Sequence, residues 1–520
     1  MPGAITSVKL KVGLEVHVEL ATRTKMFTRA PSPAHPGFDG AEPNTLIDPV
    51  VLALPGALPV MNRAAVEMAM MVGMALGCSI AERTKWDRKS YFYPDLPKSY
   101  QISQYDLPLC FDGMVSVPLI DDKGFVVAGG ESRQIGILRA HLEEDAGKLL
   151  HEAPGGHRIG HSIVDWNRAG TPLLEIVTQP DFDEPWQVVS FAKMLRSICR
   201  FLGVTEGVMQ KGHMRFEPNI NTLLTLEDGR TVATPVVEIK NLNSFRALQG
   251  AVEYEWREQP GRWQKDGREM GRGAKRTLGW DDVRGITVVQ REKEDADDYR
   301  YFPDPDLVPV VVSGRWREEV RARIPELPLA RQHRYAQAYD LSAKDAAALV
   351  EERDVCYFYE SVIDELVRQG VEVPRAGKLA ANFVLQSGMK RANDRGVPVS
   401  ELGVHALEVA AIAALREQGL ISAGAADELF GLLCEPVPDP RPVDVRHLAR
   451  ERGMLIVRDD AALERWCDEV IARNEKVAAD VRAGKVQAAG RLVGEVMKLA
   501  GGAADAKVVR EAILKKLGAG

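Results

Sequence analysis

From Val8 to Leu20 apolar and polar positions alternate without a break. Val8, Leu10, Val12, Leu14, Val16, Val18 and Leu20 are apolar, and Lys9, Lys11, Gly13, Glu15, His17 and Glu19 lie between them. A period of two predicts a strand buried on one face. Its other face then carries Glu15, His17 and Glu19 in line, neighbours ~6.5 Å apart at a rise of ~3.3 Å per residue. Shorter strand-like runs follow between turns: VDWNR, LLEIVT, VVEIKN and GITVVQRE. Later the period becomes helical, in AAALVEERDVCYFYESVIDELVRQG and VHALEVAAIAALREQ. The Met-rich stretch Met61–Cys78 reads as a core helix capped by Asn62. It is too short, and with Arg63 and Glu67 too charged, to span a bilayer.

Two proline-bearing joints divide these regions, one at Pro325 and Pro328, the other at Pro436, Pro438, Pro440 and Pro442. A run as dense as the second resists helix and sheet alike and suits a semi-rigid linker. The fold class expected is α+β: a large mixed-sheet domain over 1–325, an all-α domain over 326–442 and a small helical tail over 443–520.

Composition narrows the picture. An apolar share of 45% and a charged share of 27% describe an ordinary globular chain. The six cysteines are scattered with no CxxC spacing, which argues against a zinc ribbon or a disulfide framework. The N-terminus has no signal-peptide pattern, so a cytoplasmic protein without a membrane span is expected. Formal charge is −7, yet residues 471–520 hold ten basic and five acidic side chains. That excess fits a phosphate-binding module. On charge alone, a solvated helix face is the commoner cause.

Several runs could carry chemistry. Two carboxylates flanking His17 could share a metal, although one strand gives too few ligands and a solvent-facing stripe alternates equally well. In HLEEDAGK, Glu143, Glu144 and Asp145 repel one another unless solvated or holding cations, and hard oxygens suit Mg²⁺. Residues 87–106 crowd Lys89, Lys98, Tyr91 and Tyr93 among further tyrosines and prolines. DWNRAGTPLLEIV sets Asn167, Arg168 and Glu175 around a Gly–Thr–Pro turn. EIKNLNSFRAL ends a strand at Lys240–Asn241 and starts a helix near Asn243 or Ser244. Such an N-terminus beside Lys240 and Arg246 would bind an anion. Residues 291–306 mix Arg291, Arg300 and Tyr301 with acids. Each could be only a hydrogen-bonded loop; together they suggest one large polar site. There is no GxxxxGK[ST], so any use of ATP avoids a P-loop. No Ser–Ser–Lys amidase pattern or cysteine-nucleophile motif occurs either, so a glutaminase is not expected in this chain.

These runs, in this order, resemble the B subunit of the tRNA-dependent amidotransferases. The matching segments include GLEVHVEL, ALPGALPVMN, DRKSYFYPDLPKSYQISQYDLPL, HLEEDAGK, DWNRAGTPLLEIV, EIKNLNSFR, DYRYFPDPDL and, in the tail, AGKVQAAGRLVGEVMK. The resemblance implies a cradle-shaped catalytic domain, a helical domain and a tail that contacts tRNA. It implies ATP- and Mg²⁺-dependent phosphorylation of the Glu or Asp side chain esterified to mischarged tRNA(Gln) or tRNA(Asn), followed by amidation with ammonia. The ammonia comes from a separate amidase A subunit, with a small C subunit completing a heterotrimer. By resemblance the metal-binding residues fall on Glu15, His17 and Glu144, with Glu143 adjacent, and catalysis would also draw on Lys240 and Arg168. Asn167, Glu175, Asn241, Asn243, Ser244, Arg246, Arg291, Arg300 and Tyr301 would bind ATP or substrate. Lys89, Lys98, Tyr91 and Tyr93 would line an ammonia passage, or else pack their loop and bind tRNA phosphates.

Two departures stand out. The stretch FTRAPSPAHPGFDGAEPNTLIDPVV lacks the paired cysteines that hold zinc in some members, so no zinc is expected. MRFEPNIN differs from the commoner Arg-Cys-Asp-Ala-Asn, with Glu217 keeping a lengthened acid that would serve as a Mg²⁺ ligand beside Pro218. A scaffold that binds tRNA without catalysis is the alternative, and the intact Glu15, His17, Glu144 and Lys240 speak against it.

Overall fold

The alternating run forms a fifteen-residue strand, β1 (Ile5–Glu19), in the middle of a ten-stranded sheet. The others are β2 (Ser79–Ile80), β3 (Cys110–Pro118), β4 (Ser132–Glu144), β5 (Pro172–Thr178), β6 (Met214–Leu226), β7 (Thr231–Ala233), β8 (Val237–Lys240), β9 (Arg276–Asp281) and β10 (Ile286–Glu292). The order is β10-β9-β8-β6-β1-β5-β4-β3-β2, with β7 on β6. This is a computed structural model that describes residues 3–121, 123–127, 130–153, 157–292, 299–435, 442–456, 460–483, 485–500 and 506–518.

Neighbours in the sheet are antiparallel except β8 and β9. Parallel partners need a crossover connection, and the helix α3 (Phe245–Asp266) supplies it. On one side of the sheet, Leu10, Val12, Leu14, Val16, Val18 and Leu20 are at most 1% exposed. They share a core with α3, α1 (Arg63–Ala75) and α2 (Pro185–Phe201) through Val66, Met70, Phe191, Leu195, Leu248 and Val252. Each such burial contributes about 1.5–3 kcal/mol, so an aspartate at Val16 would put an unpaired charge at the centre of the sheet. Both expected helix starts form: the Asn62 carboxamide accepts from Ala64 N at 2.9 Å and the Ser244 hydroxyl from Ala247 N at 3.0 Å.

A small sheet flanks this domain. The hairpin Asp87–Ser90/Tyr100–Ser103 takes Phe302–Pro303 as a third strand on Asp87–Arg88. Arg88 reinforces the join through Asp304 (2.7 Å) and Asp306 (2.9 Å).

The chain divides into two units, Met1–Ala330 and Arg331–Gly520. The second is helical. Its first long apolar run is two helices, Ala343–Glu351 and Arg353–Arg368, separated at Glu352. Gly377 fits here because an added Cβ would stand 2.3 Å from the Tyr339 ring. The proline-rich residues 436–441 lie outside the described residues. The helix Val445–Glu451 packs on Ala406–Glu417, while Cys467, Val470, Val481, Leu492, Val496, Val509 and Ile513 form a separate core among the last helices. Among the described residues no helix is long and apolar enough to cross a membrane. The fold is thus α+β, with a large mixed sheet followed by a helical region.

Candidate functional site

The odd positions of β1 face away from the core, and strand register decides whom they meet. Arg215 of β6 pairs with His17, His17 with Glu175 of β5, and Glu175 with His141 of β4. His17 Nε2 lies 3.4 Å from Glu175 Oε2 and 3.8 Å from Glu143 Oε1, two positions along β4 from His141. One ligand-type atom from each of His17, Glu143 and Glu175 falls within 4.8 Å of the others. A second group stands beside it. Glu15 pairs with Glu217, Asn219 with Glu238, and the three carboxylates again gather within 4.8 Å.

The two groups differ in their surroundings. Around the second, Lys240 Nζ reaches Glu217 (2.5 Å) and Glu238 (3.1 Å), Lys275 reaches Glu238 (3.2 Å), and Asn219 donates to Glu15 (3.2 Å). Around the first, the histidines and Lys89 supply the opposing charge. Burial opposes charge on His17, but Glu175 and Glu217 outweigh it and lift His17 to about 9. Burial works against Glu175 as well, and the facing His141 and His17 still hold it well below the carboxylate range. Glu143 is pushed up to about 7 by burial and then by Glu175, and burial drives His141 down to about 4. Glu143 Oε2, His17 Nδ1 and His141 Nδ1 are buried without a hydrogen-bond partner. Such orphaned groups each cost about 1–3 kcal/mol. With a cation in place of the His17 proton, its imidazole nitrogen and the carboxylate oxygens of Glu143 and Glu175 would fit a hard divalent ion such as Mg²⁺.

A third knot closes the end of this face. Arg215 donates to Asp145 at 2.6 Å, and Arg168 stands 3.7 Å from the same carboxylate. Despite burial, these arginines hold Asp145 down at about 2. Burial and then the nearby Asp145 push Glu19 up to about 8.

The expected residues separate into those that converge and those that do not. His17, Glu143 and Glu175 meet, but Glu15 joins Glu217 and Glu238 instead. Glu144 turns away, because consecutive residues of a strand point to opposite faces. It is paired with Lys98 and accepts from Ile102 N at 3.0 Å. Arg168 is a brace that donates to the carbonyls of Ala146 (3.0 Å) and Gly147 (2.7 Å). Asn167 is likewise engaged, accepting from Leu46 N at 2.8 Å and donating to Glu42 O at 2.7 Å. Lys240 sits in the second group, while Asn241, Asn243 and Arg246 are exposed around the start of α3, where Ser244 caps. Arg300 is exposed; the Arg291 side chain and residues 293–298 lie outside the described residues. Pro218 does not disturb the register of β6 against β1, where it faces Leu14.

The aromatic residues gather because Phe302–Pro303 adds to the hairpin. Lys89 Nζ lies 5.1 Å from the Tyr299 ring centre and 5.9 Å from that of Tyr91. Tyr91 is 6.2 Å from Tyr93 and 6.1 Å from Tyr299, and Tyr301 stacks on Tyr105 with centres 4.2 Å apart. Burial opposes charge on Lys89, yet Glu143, Tyr301 and Glu175 raise its basicity. The hairpin is stitched to β4 by Gln101, which donates to Glu144 O (2.7 Å), and by Gln104, which accepts from Leu142 N (3.0 Å).

Sequence reasoning placed Glu19, His141 and Asp145 in candidate runs without a final role, and left Glu238, Lys275 and Arg215 out of the site. For two of them a signal existed: Arg215 shares the parity of Glu217, and Glu238 that of Lys240.

Residues 10–318 match the family profile described as the GatB/GatE catalytic domain, and residues 361–517 match the GatB domain. Among curated relatives, the B subunit of the aspartyl/glutamyl-tRNA(Asn/Gln) amidotransferase of Thermomicrobium roseum is 42% identical over 97% of this chain and 98% of its own. Those bearing the same name in Moorella thermoacetica and a Janthinobacterium species are 40% and 42% identical, again over 97% of this chain, and over 99% and 98% of their own.

Proposed function

This chain belongs to the GatB/GatE catalytic-domain family, and on that footing we propose that it is the phosphorylating and amidating subunit of a tRNA-dependent amidotransferase. Its substrates are ATP, ammonia and Glu-tRNA(Gln) or Asp-tRNA(Asn), met in the cytoplasm. The carrying observation is the pair of acid groups, His17–Glu143–Glu175 and Glu15–Glu217–Glu238, side by side on one face of the sheet. The orphaned atoms of Glu143, His17 and His141 support a cation there. These six residues would hold Mg²⁺, which when bound would neutralise charge on a transferring phosphoryl group.

The chain's own residues supply binding and orientation. Lys240 and Lys275, with Arg246 and the N-terminus of α3, draw the ATP phosphates to the β8–β9 side. The aminoacyl carboxylate oxygen bonds to the γ-phosphorus as the bond to ADP breaks. Ammonia nitrogen then adds to the acyl carbon, phosphate leaves with the bonding pair, and the nitrogen loses a proton. The hairpin around Lys89 and Lys98 shelters the acyl phosphate from water. It also delivers ammonia past Lys98, Tyr91 and Tyr93 from an amidase-type A subunit, with a small C subunit holding the pair. The helical domain (326–442) and the basic tail (443–520) carry the tRNA.

The test is Glu175→Gln and Glu238→Gln in the reconstituted complex. ADP release driven by mischarged tRNA should fall about 100-fold or more, with tRNA binding within about twofold of wild type. Undiminished ADP release in both variants would overturn the reading.

A further inference from the structure

The acid platform has two chemically different walls. Toward β8 and β9 the wall is made of ion pairs, with Lys240 and Lys275 against Glu217 and Glu238. Toward β4 it is aromatic, where Tyr91, Tyr299 and Tyr301 gather round Lys89 and Tyr105 backs onto Tyr301. Tyr301 stands close enough to Lys89, Glu143 and Glu175 for their charges to act on its hydroxyl, which is raised to about 12, chiefly by burial. Lys89 stands opposite Gln101, which donates to Glu144 O at 2.7 Å, so the stack begins beside the strand that carries Glu143 and ends at the surface.

Tyr105 is that end. Its ring lies nearly parallel to Tyr301, at 11°, and the residue is 48% exposed. Its backbone is fixed, because Tyr105 N donates to Asp87 at 3.1 Å and Asp87 is also gripped by Lys85 at 2.5 Å. A rigid aromatic ring with one face packed and half its surface in water is a platform on which another flat ring can continue the stack.

We propose that Tyr105, backed by Tyr301, stacks the terminal base of the aminoacyl-tRNA. This rests on the function proposed above. Only a ribose and a short amino acid separate that base from the reacting carboxylate, so the base must lodge within a nucleotide's length of the acid groups. ATP carries a purine too, but the function proposed above seats its phosphates beside Lys240 and Lys275, on the opposite wall. Single-stranded RNA ends are commonly held by stacking on aromatic side chains.

The experiment uses the full-length chain and tRNA carrying 2-aminopurine at its 3′ terminus, whose fluorescence falls on stacking. Wild type and Tyr105→Phe should quench it on binding, and Tyr105→Ala should lose most of the quenching while keeping its far-UV spectrum. In the amidating complex, Tyr105→Ala should raise KM for aminoacyl-tRNA roughly tenfold and leave KM for ATP unchanged. Quenching untouched by Tyr105→Ala would overturn the proposal. So would a rise confined to KM for ATP, which would give the stack to the nucleotide. Quenching needs no chemistry, so a wild-type complex that quenches but forms no ADP would sink the catalytic reading and leave the stacking intact.

Discussion

Glu143 and Glu144 adjoin in β4, yet their carboxylates occupy opposite sides of the sheet. Glu143 approaches His17 Nε2 at 3.8 Å, whereas Glu144 is paired with Lys98 and accepts from Ile102 N at 3.0 Å. One acid is thereby available to a cation and its neighbour to a lysine. Glu143→Gln should lower ADP formation about 100-fold or more, because a cation loses a ligand beside the reacting phosphate. Glu144→Gln should retain most ADP formation. Equal losses in the two variants would place Glu144 at the cation after all.

The Lys98–Glu144 pair offers a test of the proposed nitrogen delivery. Lys98→Met should depress glutamine-dependent amidation far more, by roughly tenfold or greater, than amidation supplied with concentrated ammonium salt. If both nitrogen donors suffer alike, Lys98 belongs to the phosphorylation or tRNA site.

Lys25 offers a pH test that needs no substrate. It is wholly buried and donates to Ala169 O at 2.7 Å, and burial lowers its pKa to about 7. Burying the charged form costs stability, fully below pH 7. The cost fades as pH rises from 7 toward the ordinary lysine value, because there the unfolded chain binds a proton that the folded chain lacks. Relative to Lys25→Met, wild type should gain stability across that window, on the order of a few kcal/mol. Denaturant titrations at several pH values give the comparison. A difference independent of pH would mean that Lys25 stays charged in the fold.

The tail makes a salt prediction. The helix Val445–Glu451 packs on Ala406–Glu417, so a truncation after Ile456 keeps that packing and removes the basic tail with its own apolar core. Binding of tRNA should weaken, and the slope of log K against log salt should flatten by ~0.7–0.9 for each phosphate that the shortened chain no longer neutralises. An unchanged slope would leave those lysines and arginines as a solvated surface.

Where sequence reading succeeded, the cause was local. The alternation of Val8–Leu20 became β1, Asn62 and Ser244 became caps, and the later helical period became a helical unit. Each depends on residues within a turn or two of one another. Where it fell short, the cause was register. Glu15 and His17 sit two residues apart on one face, which suggested a shared ion. Strand pairing instead gives Glu15 to Glu217 and His17 to Glu175.

The sequence alone therefore determined which side chains share a face, where helices begin, that the chain is α+β, and which family it resembles. Tertiary structure alone decided which acids meet, that Glu144 faces Lys98, and that Tyr301 reaches Lys89 from some two hundred residues away. The reason is physical. The face of a strand follows from a period of two along one chain, whereas its neighbours follow from strand order and register. Those are set by packing of the whole sheet against its helices, and no local pattern encodes them.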